Sequence, residues 1–456
     1  MNRTTTMIVA VVVVIIVVAA AAAIVLSNND GENRSSVNAS QLQIMGNAND
    51  DYTIDDSDME ILDSILAGNA NITEYPLADA NDDGVVDEKD KALLQDIIDR
   101  KQGITIHVIC LGTDGKETTV PCTYPLRNVV TYATNMQLPV LYANGGQYIA
   151  GYFTSTYEVA EASINDKATD LGGSSRSISD AAWANFTQLA AGVSTGIGAF
   201  MTDYSAADQI TDLRKADLDA AGIPLIIYAS ADAESEMTTV LTLGFLFGGE
   251  SEKMGVEYAQ AGWDVLNKLK ESVGGLSDEE KVSYICCTMW IYICENDSTY
   301  NTTAASAGGI PYYKINSDFA SRYSGDSSTK MSSVEALSNY KDVGSIISNR
   351  SMDWGLTADK MDAMYIDCWE NERDGHPIYE YFVGLENKLV FINNLLPGAV
   401  KLAYMAHALY GDQFSLEWAN SVLQDYIDMG TAPLQNQTLD TIPAYVDYDA
   451  YQSAKA

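Results

Sequence analysis

S-E-M-T-T-V-L-T-L-G-F-L-F-G-G-E-S-E-K-M-G-V-E-Y-A-Q-A-G-W-D-V-L-N-K-L-K spans residues 235–270 and sets the architecture. Apolar residues recur at threes and fours: Met237, Leu241 and Phe245, then Tyr258, Ala261, Val265 and Leu269. That spacing predicts one long helix from about Ala233 to Val273. Short apolar runs alternate with helical stretches on both sides of it. Before it come ITIHVI (104–109), VVTYA (129–133), YIAGYF (148–153), IGAFM (197–201) and IPLIIYA (223–229). After it come VSYICCTMWI (282–291), VGSIIS (343–348) and MYIDC (364–368). The alternation predicts an α/β fold with mainly parallel strands. Two Rossmann-like lobes, 104–232 and 276–456, are expected, joined by a long backbone helix over 233–275.

The chain has 456 residues, 47% of them hydrophobic, which excludes wholesale disorder. It carries 63 Asp and Glu against 26 Lys and Arg, a net charge of −37. Nucleic-acid binding needs clustered Lys and Arg, so that function class is excluded. Residues 7–26, MIVAVVVVIIVVAAAAAIVL, hold no charge. As a helix they match a hydrocarbon core of about 30 Å. Arg3 precedes them and an acidic chain follows. The expectation is a short cytoplasmic N-terminus (1–6), a retained single-pass transmembrane anchor (7–26) and an extracytoplasmic remainder. Residues 27–43, rich in Ser and Asn, read as a flexible linker.

Asn47–Asp58 and Asp79–Asp90 align at a 32-residue offset. Oxygen-bearing side chains fall at positions 1, 3, 5, 9 and 12 of both: Asn47, Asn49, Asp51, Asp55 and Asp58, then Asp79, Asn81, Asp83, Asp87 and Asp90. This spacing wraps a loop around one hard cation, with the carbonyls of Thr53 and Val85 as further ligands. Apolar residues follow in register, Ile61, Leu62, Ile65 and Leu66 against Leu93, Leu94, Ile97 and Ile98, so each loop runs into a helix. Asp at position 12 and a single helix after each loop resemble the dockerin type I repeat. The resemblance covers 44–102 and implies a small all-α calcium-binding domain with two Ca²⁺ sites. Asn47 at position 1 and Tyr52 at position 6 depart from the pattern, which weakens the first site relative to the second. A cohesin-like partner is implied by the family; a calcium-stiffened spacer is the other role open to the repeat.

In the large domain, L-G-F-L-F-G-G-E-S-E-K (243–253), A-A-G-I-P-L-I (220–226), D-L-G-G-S-S-R-S (170–177), A-G-G (307–309) and G-A-V-K-L-A-Y-M-A-H-A-L-Y-G-D-Q-F (398–414) occur in the family's spacing. Together they resemble the helical-backbone (class III) substrate-binding proteins of ABC importers, which carry iron–siderophore, haem and cobalamin. The resemblance spans 104–430 and implies capture of a metal chelate between two lobes for delivery to a permease. No G-x-x-x-x-G-K-[ST] sequence occurs, so the ATPase is expected to be a separate subunit. A cell-surface scaffold assembled through the repeat is the alternative.

Ligand residues are expected in loops after the C-terminal ends of strands. That selects Tyr132, Tyr152, Ser175, Arg176 and Tyr204 in the first lobe, and Trp290, Arg350, Trp354, Arg373 and His376 in the second. Aromatic faces stack on flat chelates and Arg offers a fork to carboxylates. Cys110 and Cys122 flank a turn and are candidates for a disulfide. G-V-S-T-G (192–196) matches a nucleophile elbow, but a helical stretch precedes it and a strand-like run follows, the reverse of the order an elbow needs. No catalytic residue is assigned and the chain is not expected to be an enzyme.

Overall fold

Strands β1 (Thr105–Leu111) and β2 (Glu117–Thr123) form an antiparallel hairpin that stands apart from both lobe sheets. The ITIHVI run therefore does not open the first lobe; it bridges back to Ile44 and packs beside the last strand of that lobe. The lobe-one sheet comprises β3 (Val129–Tyr132), β4 (Ile149–Tyr152), β5 (Thr169–Asp170), β6 (Ala199–Asp203) and β7 (Leu225–Tyr228). All five run parallel, in the order β5-β4-β3-β6-β7. Lobe two has β8 (Ser283–Thr288), β9 (Tyr292–Cys294), β10 (Ile310–Pro311), β11 (Ser328–Lys330) and β12 (Ser345–Arg350). A small hairpin, β13 (Glu372–Arg373) with β14 (His376–Pro377), precedes β15 (Leu389–Asn393) and β16 (Tyr445–Val446). The second sheet runs β11-β9-β8-β12-β15-β16, with β10 beside β8 and a parallel centre of β8, β12 and β15. The computed structural model describes residues 41–154, 157–174, 177–229, 232–288, 291–294, 298–323, 328–331 and 333–456. The expected anchor at 7–26 lies outside them. Among the described residues no helix is long and apolar enough to cross a membrane.

The expected single backbone helix is two. Ala233–Phe247 is a return helix, and Glu250–Val273 is the linking helix, about 36 Å long at about 1.5 Å per residue. Gly248 and Gly249 break the run with φ of 70° and 61°, in the left-handed region where glycine meets no steric penalty. The two helices pack closely: a Cβ on Gly244 would lie 2.5 Å from the Ser251 carbonyl oxygen and 3.0 Å from the Gly255 Cα. Gly244→Ala must push the helix backbones apart and is expected to cost about 1–3 kcal/mol. The urea midpoint measures it, with Gly275→Ala as control because nothing lies within 4 Å of that Cβ position. An unchanged midpoint for Gly244→Ala would contradict the close approach.

MYIDC is also corrected. It lies inside the helix Ala358–Glu370, where Met361, Cys368 and Trp369 are buried at helical spacing. A five-residue apolar window cannot separate the two periods.

Residues 44–102 share a core with the rest of the molecule. Leu62, Leu94 and Ile97 from the two repeat helices (Asp56–Leu66 and Glu88–Ile98) pack in one cluster with Ile106, Val108, Phe245 and Leu246. Arg100 knots the join. Its guanidinium donates to Glu252 at 2.6 Å and to the Ile97 carbonyl at 2.7 Å, and lies 4.8 Å from the Phe245 ring centre. Cys110 and Cys122 are free thiols: the β1–β2 register sets Cys110 opposite Thr118 and Cys122 opposite Ile106, so the two are not cross-strand partners.

Candidate ligand cleft

The parallel strands of both lobes end at one cleft of about 680 Å³. Ala133, Thr134 and Asn135 follow β3, and Ser205 and Asp208 follow β6. Thr288 ends β8, Asn349 and Arg350 end β12, and Asn394 and Leu395 follow β15. Tyr157 and Tyr300 complete the walls with Leu138, Ala206 and Ser351. Strand ends at a break between two sheets are where open α/β folds place ligands, and the volume suits a small organic ligand or chelate. A wider recess of about 850 Å³ runs between residues 158–167 and 432–437, away from the strand ends. The cleft at the strand ends has the stronger physical claim, because parallel strands from both sheets and the unpartnered amide of Asn349 converge there.

Buried hydrogen bonds hold the walls. The Asn393 amide accepts from the backbone N–H of Met352 and of Leu395, both at 3.1 Å, and donates to the Met352 carbonyl at 2.7 Å. It thereby ties the turn after β12 to the turn after β15. Asp203 accepts from the Ser205 N–H at 2.9 Å and fixes the turn after β6. Asn394 donates to the Tyr300 hydroxyl at 3.1 Å. The lobes are joined behind the cleft, where the Tyr142 hydroxyl donates to the Leu395 carbonyl at 2.6 Å. The Val159 N–H donates to Asp353 at 3.3 Å across the same junction.

Arg350 carries the positive charge of the cleft and pairs with Asp367 from the helix behind it. Burial would raise the Asp367 carboxyl, but hydrogen bonds from Asn371 and Arg350 and the guanidinium charge hold it below the usual carboxylate range. Asn349 is 3% exposed, and among the described residues neither its amide nitrogen nor its oxygen has a hydrogen-bond partner. A buried amide in that state costs about 1–3 kcal/mol unless a ligand satisfies it.

Of the residues selected from sequence, the structure brings Arg350 to the cleft. Tyr132 ends β3 but turns into the lobe-one core, fully buried with its ring 5.3 Å from that of Phe153. Burial pushes its hydroxyl up to about 12. Tyr152 is half-buried against the main core and lines neither opening. Tyr204 lies against Gly115 of the β1–β2 turn, where a Cβ would overlap its hydroxyl. Trp354 lines the wider recess, with its indole N–H donating to the Pro433 carbonyl at 2.8 Å. Arg373 and His376 face each other on the β13–β14 hairpin outside the cleft, and His376 Nδ1 lies 2.8 Å from Glu380. Ser175, Arg176 and Trp290 lie outside the described residues. Asn349, Asn394, Thr288, Tyr157 and Tyr300 were missed. Neutral amides and hydroxyls carry no motif that separates them from ordinary loop and strand-end residues.

The two repeat loops share one hydrogen-bond pattern. At position 12, Asp58 accepts from the N–H of Asn49 and Asp55, and Asp90 from Asn81 and Asp87, at 2.8–3.1 Å. Asp50 and Asp82, both at position 4, share a φ of 56°. Asp58 and Asp90 are fully buried, and burial with neighbouring carboxylates pushes Asp58 up to about 6. Among the described residues no three His, Cys, Asp or Glu side chains converge as a metal-holding cluster, and the loop oxygens accept loop N–H groups instead. Asn47 differs most: its amide nitrogen donates to the carbonyls of Leu42 and Asp51, leaving one oxygen for any cation. The second loop keeps carboxylates at positions 1, 5, 9 and 12, so the donor order suits a hard cation there better than in the first. G-V-S-T-G sits between the helix Asp180–Gly192 and β6, as its flanks predicted.

No family model and no curated protein matches the chain. Solved structures do. A TroA-like periplasmic binding protein, FepB from Veillonella parvula, aligns with a TM-score of 0.53 at 16% identity, over 74% of this chain and 99% of that one. A periplasmic solute-binding protein from the same organism aligns at 0.49 and 14%, over 77% and 100%. An ABC-transporter solute-binding protein from Sulfurospirillum deleyianum aligns at 0.47 and 14%, over 70% and 93%. The chain has the two-lobed fold of the TroA-like periplasmic binding proteins.

Proposed function

We propose that this chain is the extracytoplasmic solute-binding subunit of an ABC importer, tethered to the membrane by residues 7–26. It holds a metal chelate of the iron–siderophore, haem or cobalamin class and hands it to a permease served by a separate ATPase. The observation that carries this reading is the cleft at the strand ends of both lobes, with Arg350 and the unpartnered Asn349 amide on its wall. Guanidinium, amide, hydroxyl and tyrosine groups suit the periphery of a chelate better than the inner sphere of a bare ion. Deleting the gene tests it. Loss of uptake of one chelate supports the importer, whereas intact uptake of every chelate with loss of a surface assembly would replace it with the scaffold reading.

Calcium in the repeat loops belongs to the same proposal. Asp79, Asn81, Asp83, Asp87, Asp90 and the Val85 carbonyl would hold the stronger ion, and Asn47, Asn49, Asp51, Asp55, Asp58 and the Thr53 carbonyl the weaker. The apolar faces of both helices are packed into the shared core, which favours a calcium-stiffened brace over a cohesin-docking module. Calcium is expected to raise the melting temperature, and Asp90→Ala to remove more of that rise than Asp58→Ala. Equal melting curves with calcium and with chelator would contradict it.

A further inference from the structure

We propose that Cys286 and Cys294 are a disulfide pair that staples the β8–β9 hairpin behind the cleft. β8 and β9 are antiparallel, with Cys287 opposite Ile293 and Thr288 opposite Tyr292. Continued one residue beyond those two pairs, that register brings Cys286 and Cys294 to facing positions, and both are free thiols in this structure. Directly opposed residues have Cα atoms about 4.5–5.5 Å apart, inside the span a disulfide bridges. Both side chains lie on one face of the sheet, in the core that holds Tyr284 and Ala304. Ile285, Cys287, Ile291 and Ile293 lie on the opposite face. The two cysteines are 1% and 3% exposed, so no outside thiol competes for either once the hairpin has packed.

None of the other four cysteines is so placed. Cys110 faces Thr118, Cys122 faces Ile106, Cys287 faces Ile293, and Cys368 lies 3.7 Å from the Met352 sulfur. The site also touches the cleft. The Cys286 thiol donates to the Tyr300 carbonyl at 3.5 Å, and the Asn301 amide donates to the Cys294 carbonyl at 3.1 Å. Tyr300 and Thr288 are cleft walls, so the bond fixes the two segments that carry them.

The chemistry is thiol–disulfide exchange with a small-molecule or protein disulfide. One cysteine thiolate attacks the oxidant and releases its first thiol, forming a mixed disulfide. The second cysteine thiolate then attacks the protein sulfur and releases the other. Two protein thiols are oxidised, one oxidant disulfide is reduced, and the two protons leave with the released thiols. Burial pushes the Cys294 thiol up to about 12 and the Cys286 thiol well above its ordinary value, so the exchange precedes packing of the hairpin. The supply of oxidant in the cell rests on the extracytoplasmic placement proposed above.

The test uses the full chain, unfolded and refolded with mixed reduced and oxidised glutathione, then alkylated and cut with trypsin. No Lys or Arg lies between Lys281 and Lys314, so one peptide carries Cys286, Cys287 and Cys294. The expected peptide is lighter by two hydrogens and alkylated once, at Cys287. Its melting midpoint falls on adding reductant, a response that Cys294→Ser abolishes. Three alkylated cysteines in refolded wild-type protein, or a bond through Cys287, would overturn the pairing. The same alkylation in intact cells separates the two claims: a bond formed in vitro and in cells supports both, and one formed only in vitro supports the pairing and overturns the placement.

Discussion

Glu236→Ala is expected to destabilise the fold by about 3–5 kcal/mol, read as a lower denaturant midpoint with an unchanged slope. Glu236 is buried in the return helix, where three elements meet on its carboxylate. The Tyr258 hydroxyl donates to it at 2.5 Å and the Gly398 N–H at 2.6 Å, and the Lys401 ammonium lies 4.0 Å away. Alanine strands all three. Gln keeps an acceptor for the first two, so Glu236→Gln is expected to cost about 1.5 kcal/mol or less. The pH response separates the variants further. Burial raises the Glu236 carboxyl above its ordinary value, against Lys401, Tyr258 and Gly398, which lower it. The folded state therefore binds the proton more tightly than the unfolded chain. Stability from this site is full below the ordinary Glu range and declines as pH rises towards the elevated value. Glu236→Gln removes that decline. A Gln variant with the wild-type pH slope would contradict the assignment.

Arg350→Ala is expected to weaken chelate binding by about 1.5–3 kcal/mol, roughly one to two powers of ten in Kd. The guanidinium is held in the cleft wall by Asp367, so it arrives preorganised. Asn349→Ala gives the sharper signature. Its amide has no partner among the described residues, so truncation leaves stability unchanged or raised while binding weakens. His376→Ala, on the β13–β14 hairpin outside the cleft, leaves binding unchanged. Isothermal titration of the three variants checks this. Equal affinities for all three would remove the cleft from the binding account.

The lobes were legible because parallel strands buried on both faces read as β-branched runs, as IPLIIYA does for β7. The helical hairpin was not, because an apolar period runs straight through Gly248 and Gly249 and only the tertiary turn gives them left-handed φ. Arg350 was found because a cation at a strand end is rare in so acidic a chain. Tyr132 was misread because the last residue of a strand points to either face, and here it filled the core beside Phe153 and Phe200. Asn349 was invisible: its signal is a missing hydrogen bond, and no sequence shows one. The repeat loops were plain from spacing, while the contact that Arg100, just beyond them, makes with Phe245 and Glu252 depends on residues about 150 positions away.

The central claim is that the cleft binds a chelate, and a thermal-shift panel on the full chain tests it most directly. The panel comprises ferric siderophores, haem, cobalamin and free metal ions, with wild-type protein beside Arg350→Ala. A ligand at about a hundredfold its Kd adds about 2.7 kcal/mol, a shift of roughly a few degrees. The account predicts a shift with one chelate class that Arg350→Ala loses at the same concentration. A wild-type protein that responds to calcium and to no chelate would contradict it.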